Sequence, residues 1–447
     1  MGMDGFVGRS DYLDYLESLY KAAPQSCAIY GRKRLGKTAL LQKFCEYKRH
    51  IYISGFNGPK SDLLRNIEEA VGRCSGEKEH IEDEDELFDR LKQICTKRTV
   101  VILDNYSELM AQFPHMYSAL SRFLSRDIKE TKIFLIACDT DSSIFGRITN
   151  PKEIRPMNYL ECAGFHPEFG PIQQLKAYAI VGGTPAYQHL LAGDPEDAIR
   201  DQFIGKMSVF SLEVESTMSD VAPKGDCIRV LYAMASGAES PKEIQSRSGL
   251  SAGQCQKAIA EMENRGMVSR EFSDFDKRNW VCVFSSNILR FYFTVITKCR
   301  LGDDFFSEDK AFVAALDALE PYLSDIFRTI TKEYVKIHYN TISVGKVRGG
   351  GPSGPDADYA VIARDADGRM VNICTLSRFH GDPMDMRDFK RLQSGSKKIK
   401  IDNKLILMLF SGCGFADDLK EMANSREDVV LVALEEMYEP ISMEVQI

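Results

Sequence analysis

The chain has 447 residues, 44% of them hydrophobic and 27% charged, which is enough apolar material for roughly two to four packed domains and rules out a disordered or collagen-like chain. Its 57 basic and 65 acidic residues leave a formal charge of -8, which argues against a protein built mainly to coat nucleic acid or an anionic membrane. The 12 cysteines are scattered without zinc-ligand spacing, and neither an apolar leader nor a membrane-length apolar run occurs. The expectation is a cytoplasmic protein with reduced thiols and no membrane partner.

The first predicted helix covers residues 10–22, with Ser10 as its cap and Leu13, Leu16, Leu19 and Tyr20 on one face. Residues 26–30 read as a buried strand. That strand runs into Gly31-Arg32-Lys33-Arg34-Leu35-Gly36-Lys37-Thr38, the G-x-x-x-x-G-K-[ST] spacing of a Walker A loop, and a helix follows from Ala39. The two glycines let the backbone turn its N–H groups inward, and a helix N-terminus adds to their attraction for phosphate. Lys37 is placed to reach the β- and γ-phosphates, and the Thr38 hydroxyl to ligate Mg2+. Gly31 through Ala39 is therefore the candidate nucleotide cradle.

Such a loop needs an acid on a neighbouring strand. The apolar run 99–103 ends in Asp104, which becomes the second candidate for Mg2+. The next position is Asn105, whose amide cannot act as a general base; loss of such a base costs about 10²–10⁴ in rate. Glu108 is the acid nearest in sequence that would substitute. A strand at 133–138 ends in Asp139-Thr140-Asp141, and two readings stand for Asp139 and Thr140: contact with the γ-phosphate or the attacking water, or a turn with capping side chains. With another strand at 50–56, the alternation predicts a parallel α/β sheet with the site at its carboxyl edge.

Three features together resemble the archaeal-type ATPases of the AAA+/STAND group: Phe6-Val7-Gly8-Arg9 near the start, the basic loop, and Tyr178-Ala179-Ile180-Val181-Gly182-Gly183-Thr184-Pro185-Ala186-Tyr187. The resemblance implies ATP or ADP with Mg2+ as cofactors, and a helical lid carrying the Gly-Gly turn. It places Phe6, Val7 and Arg9 beside the adenine, and Gly183 and Pro185 near the nucleotide. Arg147 matches a position where an arginine would neutralise phosphate charge; a plain surface arginine is the other reading. The family has Asp-Glu where this chain has Asp104-Asn105, so Asp104, Asn105 and Arg147 form the candidate catalytic set with turnover in question.

Beyond the lid the residues predict a helix at 226–236 with Ile228, Leu231, Tyr232 and Ala235 on one face. Two helices follow, with capping boxes opened by Ser240 and Ser251, and then a hairpin over 267–284 containing Trp280. That is the order of a winged helix. The charges of Gln254, Gln256, Lys257, Glu261, Glu263 and Arg265, and of the hairpin's Arg270, Lys277, Arg278, Glu271, Asp274 and Asp276, nearly cancel. This favours a protein-docking role over DNA binding. Ser286-Asn287-Ile288-Leu289-Arg290-Phe291 and the strand end at 409–415 resemble the same family's linker and last domain, related to PD-(D/E)XK nucleases. There Asp358 matches a metal aspartate, but Ile373 and Thr375 stand where the family's glutamate and lysine would be, so a nuclease-like fold without nuclease chemistry is expected. A helix is expected at 327–334, with Glu333 matching the family's first-helix glutamate. Arg387, Lys390, Arg391, Lys397, Lys398, Lys400 and Lys404 form a basic run, either a nucleic-acid patch or a solvated face. The expected divisions are an ATPase core over 1–160, a lid over 161–220, a winged helix and linker over 221–300, and the nuclease-like domain over 301–447.

Overall fold

The computed structural model describes residues 5–205, 208–273, 276–300, 307–347, 350–351, 354–365, 367–397 and 404–439. Of the residues singled out above, Asp274, Lys398 and Lys400 lie outside the described residues, as do the side chains of Asp276, Lys277 and Arg278. The chain divides into two bodies: Met1–Met157 with Thr184–Ala186, and Asn158–Gly183 with Tyr187–Ile447.

The first body is built on five parallel strands: β1 (Gln25–Tyr30), β2 (His50–Ser54), β3 (Thr99–Asp104), β4 (Ile133–Asp139) and β5 (Pro151–Glu153), in spatial order β2-β3-β4-β1-β5. Every position of β3 and β4 is buried, as central strands covered on both faces require. Helices α1 (Ser10–Lys21) and α2 (Lys37–Cys45) cover one face through Leu16, Leu40, Leu41 and Phe44. Helices α3 (Lys60–Ser75), α4 (Glu84–Ile94), α5 (Tyr106–Gln112) and α6 (Met116–Arg122) cover the other. This is the α/β sheet of a P-loop NTPase, with all five strands ending on one edge. The expectation that Ser10 caps α1 fails. Arg9 is the cap residue, in the left-handed conformation (φ 64), and Ser10 is the first helical residue without a side-chain cap bond.

The second body starts with α7 (Tyr159–Ala163), α8 (Pro171–Val181), most of α9 (Pro185–Leu190), α10 (Pro195–Ala198) and α11 (Val209–Ser219). Next come α12 (Lys224–Ala235), α13 (Pro241–Ser248) and α14 (Ala252–Asn264), with both predicted capping boxes formed at Ser240 and Ser251. The buried face of α12 includes Leu231 and Ala235 as predicted, with Ile228 half-buried, but it is wider than expected and leaves Tyr232 out. Cys227, Val230, Leu231 and Met234 are buried while Tyr232 is 40% exposed. Apolar residues surround this helix, so its packing against α13 and α14, not its own pattern, chooses the face.

The hairpin β6 (Val268–Ser273) and β7 (Asp276–Phe284) leads through α15 (Asn287–Phe291) and α16 (Thr297–Arg300) to α17 (Glu308–His338). The sequence suggested a helix only at 327–334. The observed helix has 31 residues and contains Pro321, because Ala311, Ala315, Leu319 and Tyr322 extend the buried stripe upstream. The loss of one backbone hydrogen bond at proline is offset by that burial. The rest comprises β8 (Asn340–Lys346), the two-residue pair β9 (Gly350–Gly351) and β10 (Gly354–Pro355), then β11 (Tyr359–Arg364) and β12 (Met370–Arg378). It closes with α18 (Met386–Ser396), β13 (Lys404–Ser411), α19 (Asp417–Asn424), β14 (Val429–Ala433) and α20 (Leu434–Met437). One sheet runs β14-β13-β12-β11-β8-β6-β7. The hairpin therefore joins the last sheet, through a backbone bridge between Ser273 and Lys346. Ion pairs Lys332–Glu271 and Lys346–Glu239 (2.5 Å) hold the same junction.

Candidate nucleotide site

The loop between β1 and α2 is shaped by three residues of positive φ: Gly31 (152), Arg34 (70) and Gly36 (81). Gly31 also has no room for a side chain, since a Cβ there would lie 2.5 Å from the Ile154 carbonyl oxygen. Lys37 is the first residue of α2, so the residue that carries the amine also opens the helix, whose N-terminal end attracts phosphate. The Lys37 amine donates to the carbonyls of Gly31 (2.7 Å) and Arg32 (2.9 Å), across the loop. Burial lowers its pKa, while Cys138, Asp104 and Asp139 act against that.

Asp104 ends β3 and is 2% exposed. Its Oδ2 accepts hydrogen bonds from Thr38 Oγ1 (2.8 Å) and Tyr52 OH (2.6 Å), and its Oδ1 from the Asn105 N–H (3.0 Å). The predicted pair Thr38 and Asp104 is thus in direct contact. A hydroxyl and a carboxylate are hard oxygen donors suited to Mg2+, which takes its remaining ligands from phosphate and water. Among the described residues no three His, Cys, Asp or Glu side chains gather into a metal site of their own. When bound, Mg2+ would supply neutralisation of phosphate charge beside Lys37.

Asn105 sits between β3 and α5 in the left-handed region (φ 50, ψ 55). Asn tolerates that conformation better than most residues, which lose about 1–2 kcal/mol there. Its amide nitrogen donates to the Gly55 carbonyl (3.2 Å), tying the ends of β2 and β3 together. Gly55 is squeezed by the same turn, where a Cβ would lie 2.5 Å from the Asn105 carbonyl and 3.0 Å from Glu108 Cβ. Glu108 is half-buried on the first turn of α5. Asp139 accepts from the Ser107 N–H (2.7 Å) and the Thr140 N–H (2.6 Å), so its carboxylate joins β4 to the start of α5.

The remaining predicted residues divide. Arg9 is 5% exposed and directs its guanidinium to the carbonyls of Arg155 (2.7 Å) and Leu35 (3.2 Å), bracing the phosphate loop. Phe6 packs against the core around α2, and Val7 is half-buried. Pro185 opens α9, and its ring lies 3.7 Å from where a Cβ on Gly36 would be. Lys33, Arg34 and Arg147 are exposed. Gly183 is buried in the second body, next to Gly182, whose positive φ (69) and closeness to Asn287 forbid a side chain. Tyr52 was not foreseen as a site residue. The signal was available: Tyr52 pairs with Ile102 in the β2–β3 register, so it shares a sheet face with Asp104, two residues on. Burial first, and the Asp104 charge next, push its phenol well above the usual range, so it stays a donor.

The second body holds its own buried carboxylate. Asp358 is 3% exposed and pairs with the Arg328 guanidinium (3.0 Å). It also accepts the Ser377 N–H (2.7 Å) and O–H (2.6 Å). On the neighbouring strand Ile373 is fully buried, and Thr375 accepts the Tyr359 N–H (3.2 Å). Glu333 accepts the Tyr178 O–H (2.9 Å) and the Tyr159 N–H (3.1 Å), linking α17 to α7 and α8.

No family model matches the chain. The uncharacterized protein MJECL04 of Methanocaldococcus jannaschii is 27% identical over 196 residues, which is 41% of this chain and 43% of that protein, so the chain spans less than half of this relative's length. Among solved structures, the Walker-type ATPase PABY2304 of Pyrococcus abyssi shows 12% identity and a TM-score of 0.48, over 65% of this chain and 97% of that one. The STAND protein PH0952 of Pyrococcus horikoshii, which carries a tetratricopeptide repeat sensor, shows 16% and 0.33, over 75% and 48%. Cdc6p of Pyrobaculum aerophilum shows 13% and 0.31, over 74% and 97%. At these scores the likenesses carry no weight, and the P-loop assignment rests on the strand order and the loop. Among the described residues no helix is long and apolar enough to cross a membrane.

Proposed function

We propose that the chain is an ATP-binding P-loop protein of the archaeal-type AAA+/STAND kind, working as a nucleotide-dependent switch with weak or no hydrolysis. The observation that carries this reading is the Thr38–Asp104 contact beside the Lys37 loop, followed by an amide at Asn105 that is committed to Gly55. Lys37 and the α2 N-terminus bind the phosphates, and Thr38 with Asp104 holds Mg2+. No acid follows Asp104 to draw a proton from water, so occupancy outlasts chemistry. Residues 184–186 belong to the ATP-site body while their neighbours on both sides belong to the other, and Pro185 lies against Gly36. That linkage supports a switch in which ATP favours one arrangement of the two bodies through unequal affinity for them.

The three helices and hairpin of the second body act as a winged helix turned to protein docking. Two of its cations are already paired, Arg265 with Glu261 (2.6 Å) and Arg270 with Glu263 (2.7 Å). The hairpin is further tied into the last sheet. That last sheet is a nuclease-like domain whose Asp358 is held by Arg328 instead of a metal.

The test is equilibrium ATP binding and steady-state phosphate release on one sample, with Lys37→Ala as control. Binding lost by at least about 100-fold in the variant, with background phosphate release in both, is the expected result. Phosphate release that Lys37→Ala abolishes would replace the switch with a working ATPase, with Glu108 the first acid to change. That second reading draws on the place of Glu108 in the turn that packs against Gly55.

A further inference from the structure

We infer that Tyr52 is a positioning residue of this site, holding the Asp104 carboxylate in the orientation that Mg2+–nucleotide binding requires; the inference rests on reading the Lys37 loop as a nucleotide site. The argument is one of counting donors. Asp104 Oδ2 receives two hydroxyl protons, from Thr38 at 2.8 Å and from Tyr52 at 2.6 Å, and Oδ1 receives the Asn105 N–H at 3.0 Å. A hydroxyl is one donor and two acceptors on a freely turning bond. For Thr38 to present a lone pair to a cation, its proton must leave Oδ2. Once it does, Tyr52 is the one side-chain donor among these three still fixing that oxygen.

The anchor of Tyr52 is stiffer than that of Thr38. Its ring packs into the core formed by Cys27, Leu40, Phe44 and Phe134. Its strand is locked to β3 by a continuous register from His50–Val100 to Ser54–Asp104. Removing the whole side chain would alter packing against that core as well as the hydrogen bond. Tyr52→Phe isolates the hydroxyl. Outer-shell partners of a metal-ligating carboxylate typically contribute about 10–100-fold in metal affinity, and the lower end is the expectation here because Asn105 still holds Oδ1.

The experiment titrates Mg2+ into the full-length chain with a fluorescent, slowly hydrolysed ATP analogue, and repeats the nucleotide titration in EDTA. It compares the wild type with Tyr52→Phe and with Lys37→Ala. The expected result is a rise of about tenfold in half-saturating Mg2+ for Tyr52→Phe, with metal-free nucleotide affinity within about twofold of wild type. Lys37→Ala loses affinity both with and without metal. A half-saturating Mg2+ unchanged in Tyr52→Phe overturns the inference. So does an equal loss of affinity with and without metal, which would mark Tyr52 as a packing residue only. If the wild type itself binds no nucleotide, it is the reading of the loop that fails. A thermal melt of each variant identifies a folding defect. Should Tyr52→Phe melt early, the Mg2+ and EDTA titrations are run below its melting range, where an unchanged half-saturating Mg2+ still overturns the inference.

Discussion

Asp104 and Asp358 are two buried carboxylates beside central strands, 2% and 3% exposed, and each accepts a backbone N–H and at least one hydroxyl. The difference between them is a single partner. Asp104 is surrounded by neutral donors, whereas Asp358 carries the Arg328 guanidinium at 3.0 Å. Guanidinium is a donor only and keeps its charge at every relevant pH. It completes Asp358 permanently and leaves nothing for a cation to do. The hydroxyl of Thr38 can reverse its role, so the charge of Asp104 stays on offer. A buried acid is thus a site or a brace according to whether its partners can turn away.

The strongest way to break this comparison is to remove the guanidinium. Arg328→Met leaves Asp358 buried without its cation, and breaking a buried pair on one side costs about 3–5 kcal/mol. The second body should unfold at markedly lower denaturant, while nucleotide affinity stays at the wild-type value. Unchanged unfolding would mean that Asp358 does not depend on Arg328 and that the contrast with Asp104 is false.

The converse change is Asp104→Asn. The amide keeps hydrogen-bonding capacity but brings no charge to a metal, so the fold survives. The strengthening of ATP binding by Mg2+ should fall by at least about 100-fold, beyond the range for an outer-shell partner. Isothermal titration with and without Mg2+ reads this directly. Retained Mg2+ dependence would move the metal site away from Asp104.

These two sites were not equally visible in the sequence. The Gly31–Thr38 loop is local: eight consecutive residues specify its turns, its amine and its hydroxyl, and Asp104 follows from an apolar run that ends in an acid. Asn105 was legible as a missing base, but not as a residue suited to left-handed backbone. Tyr52 and Arg328 escaped because their roles depend on partners 52 and 30 positions away, Asp104 and Asp358. Parity along β2 would have offered Tyr52, once the β2–β3 register was known. The cap position of α1 is not local either: it falls on Arg9, whose buried guanidinium reaches Leu35 and Arg155. The hairpin's union with the last sheet is likewise a contact between distant segments, Ser273 with Lys346, and has no local signature.

A third acid, half-buried, sharpens the rule with a smaller effect. Glu333 is held by neutral donors, Tyr178 O–H and Tyr159 N–H, as Asp104 is, yet it lies on α17, in the body that does not carry the phosphate loop. Burial raises its pKa above the ordinary 4.5, against the opposing pull of those two hydrogen bonds and of Lys332 and Lys336. Between 4.5 and the raised value, the folded chain holds a proton that the unfolded chain has released. Stability therefore falls as pH rises through that window, by about 1.4 kcal/mol for each pH unit, and levels off above it. Glu333→Gln stays neutral and keeps an oxygen for Tyr178 and Tyr159, so the variant should lose this slope. Denaturant midpoints of both proteins, measured from pH 4.5 upward, decide it. Parallel profiles would show that Glu333 is ionised in the fold. The hydrogen bonds from Tyr178 and Tyr159, with Lys332 and Lys336 nearby, would then outweigh burial and keep this carboxylate charged.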